Sequence, residues 1–314
     1  MEDEIYDVCI IGAGGAGLTA AIYAVRSGLK TLVLEAKIAG GLATTAAEIE
    51  NFPSYKKIGG MELMDRIKEH ALKYVAIKEL EPVEEARKEG DLFWIKTSMA
   101  EYRARAIIIA TGADHKHLNV PGEKELSGRG VSYCATCDGY FYKGKKVLMV
   151  GGGSTALMDA IYLHNIGCEV TIVHRRDQFR AEKAHIDKVN ELGIPVIWNS
   201  VVKEIKGDDF VKSVVLENVK THELSEIEVD GVFIAIGQSP TNEVAKMLGV
   251  ELDDYGFIKV DRSMRTSVPG VYAAGDITDG VRQLIVACGE GAVAATSAFE
   301  DISNPYWVSE TDDA

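Results

Sequence analysis

The stretch VSYCATCDGY, residues 131–140, carries two cysteines two residues apart, with an aspartate directly after the second. Thiols at C-x-x-C spacing serve as half of a zinc site, as a structural bridge, or as a dithiol that cycles between reduced and oxidised forms. A structural zinc site needs four ligands, usually as two paired sets, and this chain has one pair only. His115 and His117 stand at the wrong chain distance to complete it, so no metal is expected. A bridge across so short a loop restricts little of the unfolded chain. Redox use remains: one sulfur can attack a mixed disulfide formed by the other, and Asp138 beside them can relay the accompanying proton.

A dithiol needs an electron source, and two glycine-rich loops offer one. The first, Gly12-Ala13-Gly14-Gly15-Ala16-Gly17, lies between a strand candidate YDVCII and a helix candidate AGLTAAIYAVRSG. Gly12, Gly14 and Gly17 suit a tight turn that lets backbone approach a pyrophosphate while the helix N-terminus aims free N–H groups at its charge. The next strand, KTLVLE, ends in Glu35, about 20 residues on, where a carboxylate can accept from a ribose. A bound dinucleotide is expected there.

The second loop, Gly151-Gly152-Gly153-Ser154-Thr155-Ala156, follows the strand KKVLMV and precedes the helix TALMDAIYLHNIG. Its next strand, EVTIV, ends in His174-Arg175-Arg176-Asp177-Gln178-Phe179-Arg180 rather than in an acid. Guanidiniums pair with an extra ribose phosphate that a carboxylate would repel, so this half should prefer NADPH to NADH.

Length and charge bound the rest. A chain of 314 residues accommodates about two domains and buries a core without staples. The remaining cysteines, Cys9, Cys168 and Cys288, sit singly in apolar surroundings and read as small core hydrophobes, which fits a reducing, cytoplasmic compartment. Net charge is −14, against broad attraction to nucleic acid or anionic lipid. The uncharged run from Val8 to Val25 reaches the length of a membrane helix, but its clustered glycines make it strand, loop and helix. The N-terminus MEDEIYD lacks the basic residues of a targeting segment, and the tail SNPYWVSETDDA shows no readable chemistry.

Beyond FIAIGQSPTN, the segment GVYAAGDITDGVRQLIVACGEGAVAATSAFE reads as strand, glycine-acid turn and long helix with no dinucleotide loop of its own. It should complete the first domain. The expected fold is therefore α/β with two Rossmann-like dinucleotide-binding domains, the domain of the second, NADPH-preferring loop inserted into that of the first. The expected bounds are 1–115 and 242–314 for the domain of the first loop, and 116–241 for the NADPH-preferring domain with the C-x-x-C.

Taken together, GAGGAG with Glu35, SYCATCDGYFY, GGGSTA with HRRDQFRA, and YAAGDITDGVRQ resemble the low-molecular-weight thioredoxin reductases, end to end. The resemblance implies FAD in the first domain, NADPH in the second, a thioredoxin-like protein substrate and a homodimer. It implies that Cys137 faces the flavin, that Cys134 attacks the protein substrate, and that Asp138 is the acid-base residue. Arg175, Arg176 and Arg180 would hold the 2′-phosphate, and His174 with Gly151, Gly153, Ser154, Thr155 and Ala156 of the loop would also bind the nucleotide. Gly12, Gly14, Gly17, Glu35, Gly41, Asn51, Gly275, Asp276, Arg282 and Gln283 would line the FAD.

Two departures stand out. Leu42 follows Gly40-Gly41 where the family usually has glutamine, and Met158-Asp159 stand where two acids are usual. Two other functions fit the residues: a flavin-dependent oxidase of a small-molecule dithiol, and a nucleotide-binding redox sensor without turnover. Dithiol and nicotinamide share one domain yet must serve one flavin, so that domain is expected to rotate on linkers near Ala113 to His117 and near Ser239 to Asn242.

Overall fold

The computed structural model describes residues 4–46 and 48–305, so most of the tail SNPYWVSETDDA lies outside the described residues. The chain divides into two compact units, His115–Gln238 and the segments on either side of it.

The outer unit is built on a seven-stranded sheet. Its order runs Ile77–Lys78, Thr31–Leu34, Ile5–Ile11, Glu101–Ile109, Leu92–Thr97, Val83–Glu89, with Val271–Ala273 also paired to Glu101–Ile109. Val8, Cys9 and Ile10 are fully buried, as are Ile107, Ile108 and Ile109 beside them. A parallel strand covered on both faces needs such an unbroken apolar run, and each fully buried isoleucine contributes on the order of 1.5–3 kcal/mol. The nine-residue strand Glu101–Ile109 shares one edge between two partners: Ala104 faces Phe93 of an antiparallel strand, while Ile107 faces Val271 of a parallel one. Residues far apart in the chain thus close one sheet.

The C-terminal helix Leu284–Ser303 packs against the helix Gly15–Arg26. Ala16, Ala20 and Ala24 meet Ala287, Ala294, Ala295 and Ala298 within one buried cluster. At Gly291 an added Cβ would collide with the Ala16 carbonyl, so the two backbones approach as closely as glycine permits. The C-terminal segment therefore completes the unit that the N-terminus begins.

The inner unit has a five-stranded parallel sheet in the order Val196–Ile197, Glu169–Val173, Lys146–Val150, Gly231–Ile234, Val131–Ser132. On one face lie the helices Ser154–Asn165 and Lys183–Glu191, packed through Leu157, Leu163 and Val189 on Met149, Ile172 and Phe233. The other face meets an antiparallel sheet of Ser200–Gly207, Val211–Asn218 and Leu224–Glu228, through Val202, Val214 and Leu216. Each unit thus owns a core. Among the described residues no helix is long and apolar enough to cross a membrane.

Candidate active site

The first loop crosses the ends of the outer unit's central strands. Gly12 has φ +106°, and a Cβ there would strike the Ala110 carbonyl; one at Gly17 would strike the Gly12 carbonyl. Gly14 caps the helix Gly15–Arg26 without a side-chain hydrogen bond, which leaves first-turn N–H groups for an anion. Gly41, at φ +67°, brings its Cβ position to 3.0 Å from Gly14 Cα, so the segment carrying it closes over the loop. Glu35 follows the strand Thr31–Leu34, and its carboxylate accepts from Ala13 N–H at 2.7 Å and Lys37 N–H at 2.8 Å. The acid is anchored to the loop it was expected to serve.

A second group gathers from the C-terminal segment. Asn51 donates to Gln283 at 2.9 Å across 232 residues of sequence. Gly275 sits against Ala16, at 2.9 Å from its Cβ position to the Ala16 Cβ, which sets the Gly275-Asp276 turn beside the first loop. Burial raises the Asp276 carboxyl, opposed by the charge of Arg282. The Arg282 guanidinium lies 4.1 Å over the Phe257 ring, and its buried Nε has no partner among the described residues. Glu290 was not singled out in the sequence: its carboxylate accepts from Gly275 N–H at 2.7 Å, and burial raises its pKa. No local pattern marks it, because it lies within a helix and acts on a turn 15 residues earlier.

The inner unit's loop is built alike. Gly151 has φ +153°, and a Cβ there would strike the Ala235 carbonyl. A Cβ at Gly152 would enter the His174 imidazole, while Arg180 N–H donates to Gly152 O at 2.8 Å and Gly153 bridges Arg180. Ser154 Oγ accepts from Glu182 N–H at 3.0 Å; Thr155 is exposed and Ala156 is buried in the core. The basic run is thereby drawn onto the loop. Burial, then the charges of Arg176, Arg175 and Arg180, hold the His174 pKa below its ordinary value. His174 Nε2 is buried without a partner among the described residues, and Asp177, the acid inside the run, is taken by Lys220 at 3.0 Å. Concentrated positive charge and an unsatisfied ring nitrogen fit a phosphorylated ribose.

Cys134 and Cys137 form a disulfide in the same unit, Cys134 capping the short helix Ala135–Asp138. Asp138 accepts from the Ser132 hydroxyl at 2.6 Å, and Ser132 Oγ also accepts from Cys134 N–H at 3.1 Å. Burial raises the Asp138 pKa against the lowering effect of that hydrogen bond, and it joins the charges of Asp138 and Asp230 in pushing Tyr142 up to about 12. A carboxyl beside the cysteine pair, its affinity for a proton raised by burial, is suited to proton exchange with a thiol. Cys9 and Cys168 are buried as expected; Cys288 is only partly so, its Sγ 3.4 Å from the Cβ position of Gly15. Leu42 begins the turn Leu42–Thr45 and is 38% exposed, and Met158 is 46% exposed.

The family model for pyridine nucleotide-disulphide oxidoreductases matches residues 6–291, and the chain belongs to that family. It is 44% identical over 299 residues to the thioredoxin reductase of Bacillus subtilis (strain 168), covering 94% of each chain. It is 43% identical to that of Mycolicibacterium smegmatis, covering 99% of each. Among solved structures it is similar to the thioredoxin reductase of Streptococcus pyogenes MGAS5005, with a TM-score of 0.90 and 41% identity over 96% of this chain and 99% of that one.

Proposed function

We propose that the protein is a flavoenzyme that passes electrons from NADPH through FAD and the Cys134/Cys137 pair to the disulfide of a thioredoxin-like protein. The carrying observation is the Cys134–Cys137 disulfide, coupled through Ser132 to Asp138, in the unit that also bears the arginine run. The full-length likeness to thioredoxin reductases supports it.

FAD would lie on Gly12, Gly14, Gly17 and Gly41, with Glu35, Asn51, Gly275, Asp276, Arg282 and Gln283 around it. NADPH would lie on Gly151, Gly153, Ser154, Thr155 and Ala156, its 2′-phosphate among His174, Arg175, Arg176 and Arg180. Bound FAD supplies a two-electron relay between a nicotinamide and a disulfide.

In the reduced pair, the Cys134 thiolate attacks one sulfur of the partner's disulfide, forming a mixed disulfide and expelling the other sulfur. Cys137 then attacks Cys134 Sγ; the Cys134–Cys137 bond re-forms and the partner's second sulfur leaves. Counted from its dithiol form, the pair loses two electrons and two protons, and the partner gains both. Asp138 supplies and recovers a proton at Cys137 or at a leaving sulfur.

The reading extends to a cytoplasmic homodimer, on the strength of the family resemblance and the sparse cysteines; sedimentation of the pure protein tests the dimer. The function is tested by offering NADPH, NADH and a reduced deazaflavin as competing donors with an oxidised thioredoxin. Preferred NADPH turnover is expected. Reduction by deazaflavin but not NADPH would overturn the donor, and no disulfide reduction with any donor would overturn the function.

A further inference from the structure

Tyr133 stands directly before Cys134, and three side chains hold it. Its ring stacks on His115, centroids 4.9 Å apart at 17°, and meets His117 edge-on at 5.3 Å and 85°. Its hydroxyl donates to Glu123 Oε1 at 2.8 Å and lies 2.9 Å from His117 Nδ1. With the phenol proton given to Glu123, that oxygen accepts from His117, which sets the imidazole tautomer.

Glu123 is 4% exposed and does more than receive the phenol. It accepts Leu118 N–H at 2.8 Å and Asn119 N–H at 2.6 Å, folding a turn in which Asn119 has φ +58°. His115 Nδ1 lies 3.4 Å from Gln238 Nε2, so the imidazole stacked on Tyr133 is held by the residue at the other end of the inner unit. On the other side of Tyr133, Val131–Ser132 is fixed by parallel pairing with Val232 and Phe233. Of the three partners only Glu123 is buried, and a buried carboxylate is costly unless satisfied. Its bonds to two backbone N–H groups and to the Tyr133 hydroxyl tie the residue before Cys134 to a fixed turn.

Resting on the reading of Cys134 as the attacking thiol, we propose that Tyr133 is a positioning residue for the dithiol, clamped by His115, His117 and Glu123, and that it sets the rate at which Cys134 attacks a protein disulfide. The clamp fixes the backbone entering the C-x-x-C turn. It thereby keeps Ser132 Oγ between Cys134 N–H and Asp138, the link that holds sulfur and proton carrier in register.

The test uses full-length holoenzyme carrying Cys137→Ser, so that Cys134 is left as the lone thiol of the pair. It is mixed with a single-cysteine thioredoxin whose sulfur bears a thionitrobenzoate group; attack by Cys134 forms the mixed disulfide and releases the coloured thiolate. Tyr133→Phe, which keeps the ring and loses the hydroxyl, is expected to slow release about three- to tenfold, as for one lost hydrogen bond. Tyr133→Ala should slow it further, and Glu123→Gln added to Tyr133→Phe should add little, because the two act as one unit. The NADPH affinity of the Tyr133→Phe variant should match the parent, and its melting temperature should fall by no more than one lost hydrogen bond explains. Rates within twofold of the parent for both Tyr133 variants would overturn the inference while leaving the proposed function standing. Should Tyr133→Ala fail to fold, Tyr133→Phe and His117→Gln decide it by the same criterion. An equal fall in stability and NADPH affinity would make the cluster merely structural. If the Cys137→Ser parent forms no mixed disulfide, the reading of Cys134 falls, and the inference with it.

Discussion

Arg175, Arg176 and Arg180 follow one strand, yet they converge because Arg180 returns to hydrogen-bond the glycine loop. Hydrogen bonds to charged groups contribute roughly 1.5–3 kcal/mol each, so replacing Arg175 and Arg176 together by alanine is expected to lower kcat/KM for NADPH about a hundredfold or more. NADH, lacking the phosphate, should change little; an equal loss with both donors would show that the arginines act through folding. The two cysteines are also expected to part company. Cys137→Ser leaves Cys134 able to trap a thioredoxin without its resolving cysteine, and Cys134→Ser does not. Comparable trapping by both variants would remove the division of labour. At Asp138 burial opposes the ionised form while Ser132 favours it. Ser132→Ala should therefore raise the carboxyl further and move the acid limb of the pH–rate profile upward, as turnover measured across pH can show.

Among the elements, the helix pair Gly15–Arg26 and Leu284–Ser303 carries the first loop, and its spacing depends on Gly291. Gly291→Ala would push a methyl into the Ala16 carbonyl. The expected cost is about 1–3 kcal/mol, read as a lower melting temperature and weaker FAD retention, since the loop begins on the displaced helix. An unchanged melting temperature would mean the pair is looser than its packing implies. The helix Ser154–Asn165 carries a burden of another kind: burial pushes Asp159 up to about 6. Because its unfolded value is about 4, the native state binds more protons between these values, and stability falls as pH rises through that window. Asp159→Asn should therefore stabilise the ligand-free protein by on the order of 1–2 kcal/mol at pH 7, discounted for partial exposure, with no gain at pH 4. Thermal melts at both pH values check the sign.

For the molecule as a whole, the chain passes between the two units at only two places, at Asp114–His115 and at Gln238–Ser239. Each crossing is anchored within its own unit: Lys116 N–H donates to Gly237 O at 3.0 Å, and Thr241 N–H to Gly112 O at 3.0 Å. With its core closed by Leu148, Val150, Val214 and Val232, the inner unit has what independent folding requires. Expressed alone, residues 115–238 should fold cooperatively and bind NADPH but not FAD. A fragment without a cooperative melt would show that the inner core borrows stability from the outer unit.

What could be read from the sequence is what depends on neighbours in the chain. Glycine at 12, 14 and 17 declares a turn because backbone conformation is local, and the C-x-x-C spacing declares a dithiol because three residues decide whether two sulfurs can meet. The place of Arg175 and Arg176 just past a strand could be read for the same reason, since the loop before that strand was already recognisable. The tertiary structure decided the pairings between distant segments. Nothing near Glu290 announces that it holds Gly275, nothing near Glu123 that it receives Tyr133, and nothing near Val271 that its strand shares an edge with Leu92–Thr97. Those contacts depend on where sheets and helices bring side chains once the apolar runs are buried, and burial is a property of the folded chain rather than of any stretch of it.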